Sequence, residues 1–267
     1  MIEALWKMSI YAGIPIVLVA VVRKLIRKYP KEYCFGLWFV VLFRLWIPLF
    51  IESSFSIQPR LSFTAPWIFK YVYLLGACAV ASVFLAQYIR MRRCTKLAVR
   101  EVKNIWRCEQ ISSAFVTGLI KPKIYLPYGL EGRQRWYVIR HEEMHIRHGH
   151  LWVRALGTAS LILHWWNPLV WYGIGRMYED MEMYCDESVM KECAGAEKKL
   201  YADVLLKLSA DRSGLAGLCF GESHTEQRIR NILKYTKREP ETYMGFVILY
   251  YLILNVCARI LITVPVL

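Results

Sequence analysis

Apolar residues fall along this chain in long unbroken runs separated by charged segments, the pattern of membrane-crossing helices and not the one-sided stripe of a surface helix. Residues 5–22, 34–51 and 67–89 each approach the roughly 20 apolar residues that a bilayer core requires, and a fourth run covers about 243–264. The pattern predicts three transmembrane helices within 1–89, a separate segment over 90–242, and a fourth transmembrane helix within 243–267. Inside 90–242, residues 112–127 alternate around Gly118 and Pro122 and predict two short strands. The amphipathic run 135–140 predicts a helix that continues through 145. Residues 151–172 are apolar enough for a further span but are broken by Asn167-Pro168, a turn signal. They predict a helical hairpin with its tip dipping into the membrane. Trp165, Trp166, Trp171 and Tyr172 at that tip suit an interfacial belt or core packing equally, while His164 and Asn167 read as structural hydrogen-bonding groups.

Composition sharpens this picture. Of 267 residues 56% are hydrophobic, above the usual 45–50%, which excludes a disordered chain and argues against a simple soluble domain. The net charge of +14 comes from 35 basic and 21 acidic residues, and the excess is blocked beside apolar runs. Arg23, Lys24, Arg27, Lys28 and Lys31 follow the first run. Arg90, Arg92, Arg93, Lys96, Arg100, Lys103 and Arg107 follow the third, and Arg228, Arg230, Lys234, Lys237 and Arg238 precede the fourth. Loop 52–66 carries only Glu52 and Arg60. The positive-inside rule then places the first loop and 90–242 in the cytoplasm and the N-terminus outside, in a multi-pass protein of the cell membrane. The first run is expected to be a retained anchor, because its basic cluster follows the apolar stretch. Basic blocks of this kind flank lipid; no direct nucleic-acid binding is expected. Arg44 and Arg259 lie in apolar spans, where a charge is paired, functional or, for Arg44, snorkelled to the outer surface. The eight cysteines avoid loop 52–66 and form no C-x-x-C pair, so disulfides are not expected and a metal site must come from histidines and carboxylates.

The chemical signal is His141-Glu142-Glu143-Met144-His145. On a helix His141 and His145 share a face and can offer two imidazoles to one zinc, with Glu142 beside them as general base. A solvated histidine-rich helix is the bland alternative, since His148 and His150 follow. A catalytic zinc takes a third protein ligand. The metzincin spacing fails because position 151 is Leu, and the sequence has no Asp-Gly pair of the intramembrane type. A glutamate from a later helix remains: Glu179, Glu182 and Asp186 fall on one face. Glu182 could bind the metal while Asp186 accepts the spare ring N–H of a ligand histidine; Glu179 stays open as a substitute, and so does a solvated acidic face. A single crossing by 151–172 would separate His145 from Glu182, whereas a hairpin brings them together. Tyr184, His148 and His164 are candidates for completing an oxyanion site. Residues 112–127 could hold an extended substrate by strand addition or be a plain supporting hairpin.

Taken in order, Arg44 to Pro48, Ser113 to Pro127, His141 to His145, His164 to Pro168 and Glu182 to Asp186, with weaker matches at Tyr201 to Ser209 and Arg228 to Leu233, resemble the membrane antirepressor zinc metallopeptidases of the BlaR/MecR type. The resemblance implies that His141, His145 and Glu182 bind zinc, that Glu142 is the general base and acid, and that the peptidase domain is cytoplasmic. It implies a gluzincin-like enzyme: a mainly α membrane protein, four transmembrane helices with a cytoplasmic α+β zincin-like domain containing a membrane-dipping hairpin. The substrate would be a cytoplasmic protein, typically a winged-helix repressor, cut in regulatory proteolysis with self-cleavage as an option. Sensing members carry an extracellular penicillin-binding domain; with Leu267 directly after the fourth run, that domain is not expected here, and a sensor would be a separate protein. His150 is assigned no role. A more distant likeness to CAAX-processing and heat-shock membrane metallopeptidases makes membrane-protein quality control a second option. The non-enzymatic rival is a membrane signal transducer with a structural zinc site, which the intact Glu142 argues against.

Overall fold

The computed structural model describes residues 2–27, 29–47, 51–52, 67–193, 197–210, 225–236, 251 and 263–264. In chain order the elements are α1 (Ile2–Tyr11), α2 (Gly13–Leu25), α3 (Lys31–Trp46), β1 (Ile51–Glu52), α4 (Trp67–Cys94), β2 (Val99–Val102), β3 (Ile105–Arg107), β4 (Phe115–Thr117), β5 (Lys123–Leu126), α5 (Gly132–Arg147), α6 (His150–Leu163), α7 (Pro168–Glu192), α8 (Lys198–Ala210), α9 (Thr225–Lys234) and β6 (Thr263–Val264). Two compact units emerge. One comprises Met1–Phe84, Leu156–Asp180 and Arg238–Leu267, the other Leu85–Ala155 and Met181–Lys237. Most of the fourth predicted span, with Arg259, lies outside the described residues.

In the first unit α1 and α2 follow one another through Ala12, which keeps right-handed helical angles and donates its N–H to Met8 O at 2.9 Å. Together they make an apolar helical stretch, Ala4–Leu25, long enough to cross a membrane; α4 is the second such helix among the described residues. Tyr73 is the buried residue of α4, so most of this helix presents apolar side chains outward. The second predicted span, 34–51, is realised differently: α3 covers 31–46 and stops there. The reason is local. Ile47 precedes Pro48, whose ring disfavours helical angles in the residue before it, and Ile47 is extended at φ −109°, ψ 113°. Sixteen helical residues rise about 24 Å, short of a bilayer core of about 30 Å. Arg44 does not snorkel; it is buried at 2% exposure with its guanidinium 5.6 Å from the Tyr11 ring centroid.

The predicted hairpin is present as α6, a turn at 164–167, and α7. Pro168 takes the first helical position of α7, where its missing N–H costs nothing, and Asn167 caps it, its Oδ1 accepting from the Leu169 N–H at 2.9 Å. The polar turn residues are structural: Asn167 Nδ2 donates to Ser9 O and Oγ at 2.9 and 3.0 Å, and His164 Nε2 donates to Leu45 O at 3.2 Å. Gly173 lets α7 lie against α2, since a Cβ there would stand 3.2 Å from Ile16. Tying α7 to α2 and α3, Arg23 Nε donates to both Asp180 oxygens at 2.8 and 2.6 Å and Trp38 Nε1 to Asp180 Oδ2 at 2.8 Å. Glu179 is engaged here as well, by Arg23 at 3.1 Å and Arg176 at 2.6 Å.

The second unit holds a four-stranded sheet in the order β2-β3-β5-β4. β4 and β5 are the antiparallel pair expected from 112–127, in register Phe115↔Tyr125 to Thr117↔Lys123. Between them Gly118, at φ +104°, turns the chain where a Cβ would meet the Lys121 carbonyl. β2 and β3 form a second antiparallel hairpin that the sequence reading missed, because its Arg100, Lys103 and Arg107 were read only as a basic flank. Glu101 answers Arg107 and Arg135 at 3.0 and 2.9 Å. Ile124 and Leu126 of β5, Tyr137 and Met144 of α5, Val189 of α7, Tyr201 of α8 and Ile232 of α9 share one core.

Asp180 is 1% exposed, and two donors, Arg23 Nε and Trp38 Nε1, converge on it. Removing one partner of a buried ion pair costs about 3–5 kcal/mol, so Asp180→Ala is expected to lose that much stability in denaturant unfolding of the detergent-solubilised protein. The exposed Lys207→Ala should leave the transition where it is.

Candidate metal centre

His141 and His145 stand one turn apart on α5, and Glu182 comes from α7, all within the second unit. The ligating atoms form a small triangle: His141 Nε2 to His145 Nε2 is 3.3 Å, His141 Nε2 to Glu182 Oε2 is 3.2 Å, and His145 Nε2 to Glu182 Oε1 is 3.4 Å. Ligands about 2.0–2.1 Å from a tetrahedral zinc are separated from one another by about 3.3–3.4 Å. The two-imidazole, one-carboxylate set therefore fits such an ion in both spacing and donor type. Glu142, next to His141 on α5, is 8% exposed.

Behind the triangle lies a buried polar network. Asp186, one turn beyond Glu182, has Oδ1 3.2 Å from His141 Nδ1, a position from which it could fix that ring's tautomer. Tyr201 OH donates to the same Oδ1 at 2.7 Å and lies 3.0 Å from His141 Nδ1. Arg228 clamps Asp186 with Nε to Oδ2 and Nη2 to Oδ1, both 2.8 Å, and its Nη1 reaches Glu182 Oε2 at 3.3 Å. Arg154 donates to Glu182 Oε1 at 2.6 Å. On the far side of His145, His150 Nδ1 is 3.1 Å from His145 Nδ1, and Cys185 Sγ is 3.3 Å from His150 Nδ1. His148 stacks on Tyr184, centroids 4.4 Å apart. Glu179 does not join this group; its arginine pairs in the first unit engage it.

Arg228, Tyr201, Arg154 and His150 were not identified as site residues from sequence. For Arg228 there was a usable signal: it lies one helical turn from Ile232 on α9, so a guanidinium shares the face of a buried isoleucine. Such a charge must be met inside.

The charges shape the ring nitrogens. Burial works against a charged His141, but hydrogen bonds to Asp186 and Glu182 outweigh it and raise its pKa to about 9. Burial likewise opposes ionisation of Asp186, yet Arg228 holds it below the usual carboxylate range. Glu182 is held well below its ordinary value, burial being overcome by His145, His141 and Arg228. His150 goes the other way: burial, then His145 and His148, drive it down to about 2.

Two histidines one turn apart and a carboxylate from a second helix, with a buried glutamate next to the first histidine in the chain, make a candidate metal centre with the donor set of a zinc hydrolase. Residues 67–232 match the family described as BlaR1 peptidase M56. The chain belongs to this family and is accordingly a metallopeptidase-type protein. It is similar to the "Regulatory protein BlaR1" of Bacillus licheniformis, 30% identical over 146 residues, which cover 50% of this chain and 24% of that protein. It is also similar to the "Methicillin resistance mecR1 protein" of Staphylococcus aureus and of Staphylococcus epidermidis, 24% identical over 149 residues, 54% of this chain and 26% of those proteins. The matched stretch thus spans about a quarter of the length of these curated relatives.

A metal ion needs the lone pair that the His141 proton occupies. With its pKa raised from 6.5 to about 9, the ion-free His141 is charged at pH 7.5. That charge stabilises the ion-free fold fully below 6.5, and the contribution is lost as pH rises through 9. Binding of zinc at pH 7.5 should therefore release about one proton per chain, with affinity falling as pH is lowered. Calorimetric titration in buffers of different ionisation enthalpy measures it.

Proposed function

We propose that the protein is a zinc-dependent endopeptidase of the cell membrane that cuts a cytoplasmic regulatory protein, with a winged-helix repressor as the substrate class. The observation that carries this reading is the triangle of His141, His145 and Glu182 with Glu142 beside it. In this proposal segment 90–242 is the catalytic domain facing the cytoplasm, and 1–89 and 243–267 hold it in the bilayer. The basic blocks after the first and third apolar runs support that orientation. The names of the relatives, a regulatory protein and a resistance protein, support a regulatory role, and a separate sensor protein would supply the stimulus.

His141, His145 and Glu182 would hold the zinc, while Asp186, fixed by Arg228 and Tyr201, keeps the His141 ring turned toward it. When bound, zinc polarises the scissile carbonyl and makes water more acidic at neutral pH. Glu142 takes the proton from the attacking water and returns it to the leaving amine. Among the described residues β4 lies at the edge of its sheet, where an extended substrate would add as a further strand.

Replacing a general base typically removes about 10²–10⁴-fold in rate. Glu142→Gln should therefore lose cleavage by that order with zinc retained, whereas His141→Ala and Glu182→Ala should lose both. A census of new protein N-termini in cells expressing wild type or Glu142→Gln at matched membrane levels reads this out and names the substrate, self-cleavage included. Equal termini in the two, from a protein that binds zinc, would favour the non-catalytic transducer.

A further inference from the structure

His150 begins α6, three residues after the end of α5, and it is 0% exposed. The intervening Gly149 sits at φ +68°, a left-handed angle that glycine adopts without strain. Its N–H closes on Ile146 O at 3.1 Å as α5 ends. The reversal carries the His150 ring back to the residue five positions earlier, so that two imidazoles meet through their Nδ1 atoms at 3.1 Å. His145 is 4% exposed, so this is a hydrogen bond removed from water.

Its direction follows from the other end of His145. Resting on the metallopeptidase reading, Nε2 of His145 gives its lone pair to the ion, and the neutral ring then carries its proton on Nδ1. That N–H must donate, and the atom facing it is His150 Nδ1, which accepts only if the His150 proton sits on Nε2. Cys185 Sγ, 3.3 Å away, approaches the same nitrogen as a much weaker donor.

We infer that His150 is the positioning residue of His145: its neutral Nδ1 accepts the His145 N–H and holds Nε2 toward Glu182 and His141. The two metal-binding histidines are then unequally supported. His141 leans on a carboxylate clamped by Arg228, whereas His145 leans on an uncharged ring. Partners in this position usually contribute about 10–100-fold in metal affinity, through orientation and tautomer and without touching the ion. The rival arrangement is a second ion bound by His145 Nδ1, His150 Nδ1 and Cys185 Sγ, which also lie close together.

The test is metal titration of the full chain in detergent, stripped of ions, with zinc and with cobalt against a competing chelator. His150→Phe keeps a ring in the space but cannot accept; it should weaken affinity about 10–100-fold at an unchanged stoichiometry of one. His150→Asn places a neutral oxygen near the position of Nδ1 and should restore affinity to within a few-fold of wild type, a rescue that simple packing would not give. Cys185→Ala should bind like wild type. Wild-type affinity in His150→Phe, or no rescue by His150→Asn, overturns the inference while leaving the metallopeptidase reading intact. Two equivalents in the wild type, one lost in both His150→Phe and Cys185→Ala, overturns it in favour of the second ion. A wild type that takes up no metal, indistinguishable from His141→Ala, overturns both readings together.

Discussion

Helix α7 carries three buried carboxylates, Glu179, Asp180 and Asp186, and the half-buried Glu182, and each is met by an arginine from elsewhere in the chain. Asp180 meets Arg23, Glu182 meets Arg154 and Arg228, and Asp186 meets Arg228. Desolvating a carboxylate costs several kcal/mol unless a cation and hydrogen bonds compensate, so these pairings determine which faces of α7 are turned inward. The overall basic excess has a structural use beyond any membrane flank. Among its arginines are the counter-charges that let an acidic helix be buried at all.

The same pairings sort the acidic residues by role. Glu179 and Glu182 are three apart and look interchangeable along the helix. Glu179 is taken by Arg23 and Arg176, while Glu182 keeps its oxygens 3.2 and 3.4 Å from two imidazole nitrogens. Asp186 is less exposed than Glu182 and clamped on both oxygens, which suits it to orient a ring and not to bind an ion. Glu182 is also met by Arg154 and Arg228, so what sets it apart is that its two oxygens face two ring nitrogens as well, the placement that the proposed metal site requires.

Local spacing was enough to read part of this from the sequence. The four-residue interval between His141 and His145, the same interval between Glu182 and Asp186, and the Asn-Pro break all specify geometry through a helix or turn of known pitch. The hairpin of α6 and α7 follows from that break. What escaped the reading depends on contacts between distant residues: Tyr201 and Arg228 reach Asp186 across 15 and 42 positions, and no local period encodes such pairs. Two misses were of another kind. The extent of α3 was overestimated because apolar count outweighed the Ile47-Pro48 signal. The β2–β3 hairpin was hidden because its alternating positions carry the same arginines and lysines that mark a membrane flank.

The raised pKa of His141 connects these observations. A buried imidazole ordinarily loses its proton, as His150 does, because charge is costly without water. His141 keeps it because Glu182 and Asp186 face its two ring nitrogens, at 3.2 Å each. In the ion-free chain the proton is the cation that this corner of the protein demands. A divalent ion meets the same demand more fully, since it can contact both imidazoles and Glu182 at once where a proton can serve only one nitrogen. The two buried arginine contacts on Asp186 then matter in a specific way: they keep that carboxylate charged whether His141 carries a proton or an ion, so the ring has an acceptor in either state and need not turn when one replaces the other. On the proposed reading, the site would thus be held in a binding geometry before an ion arrives, with the network behind His141 preserving that geometry more than the candidate ligands alone.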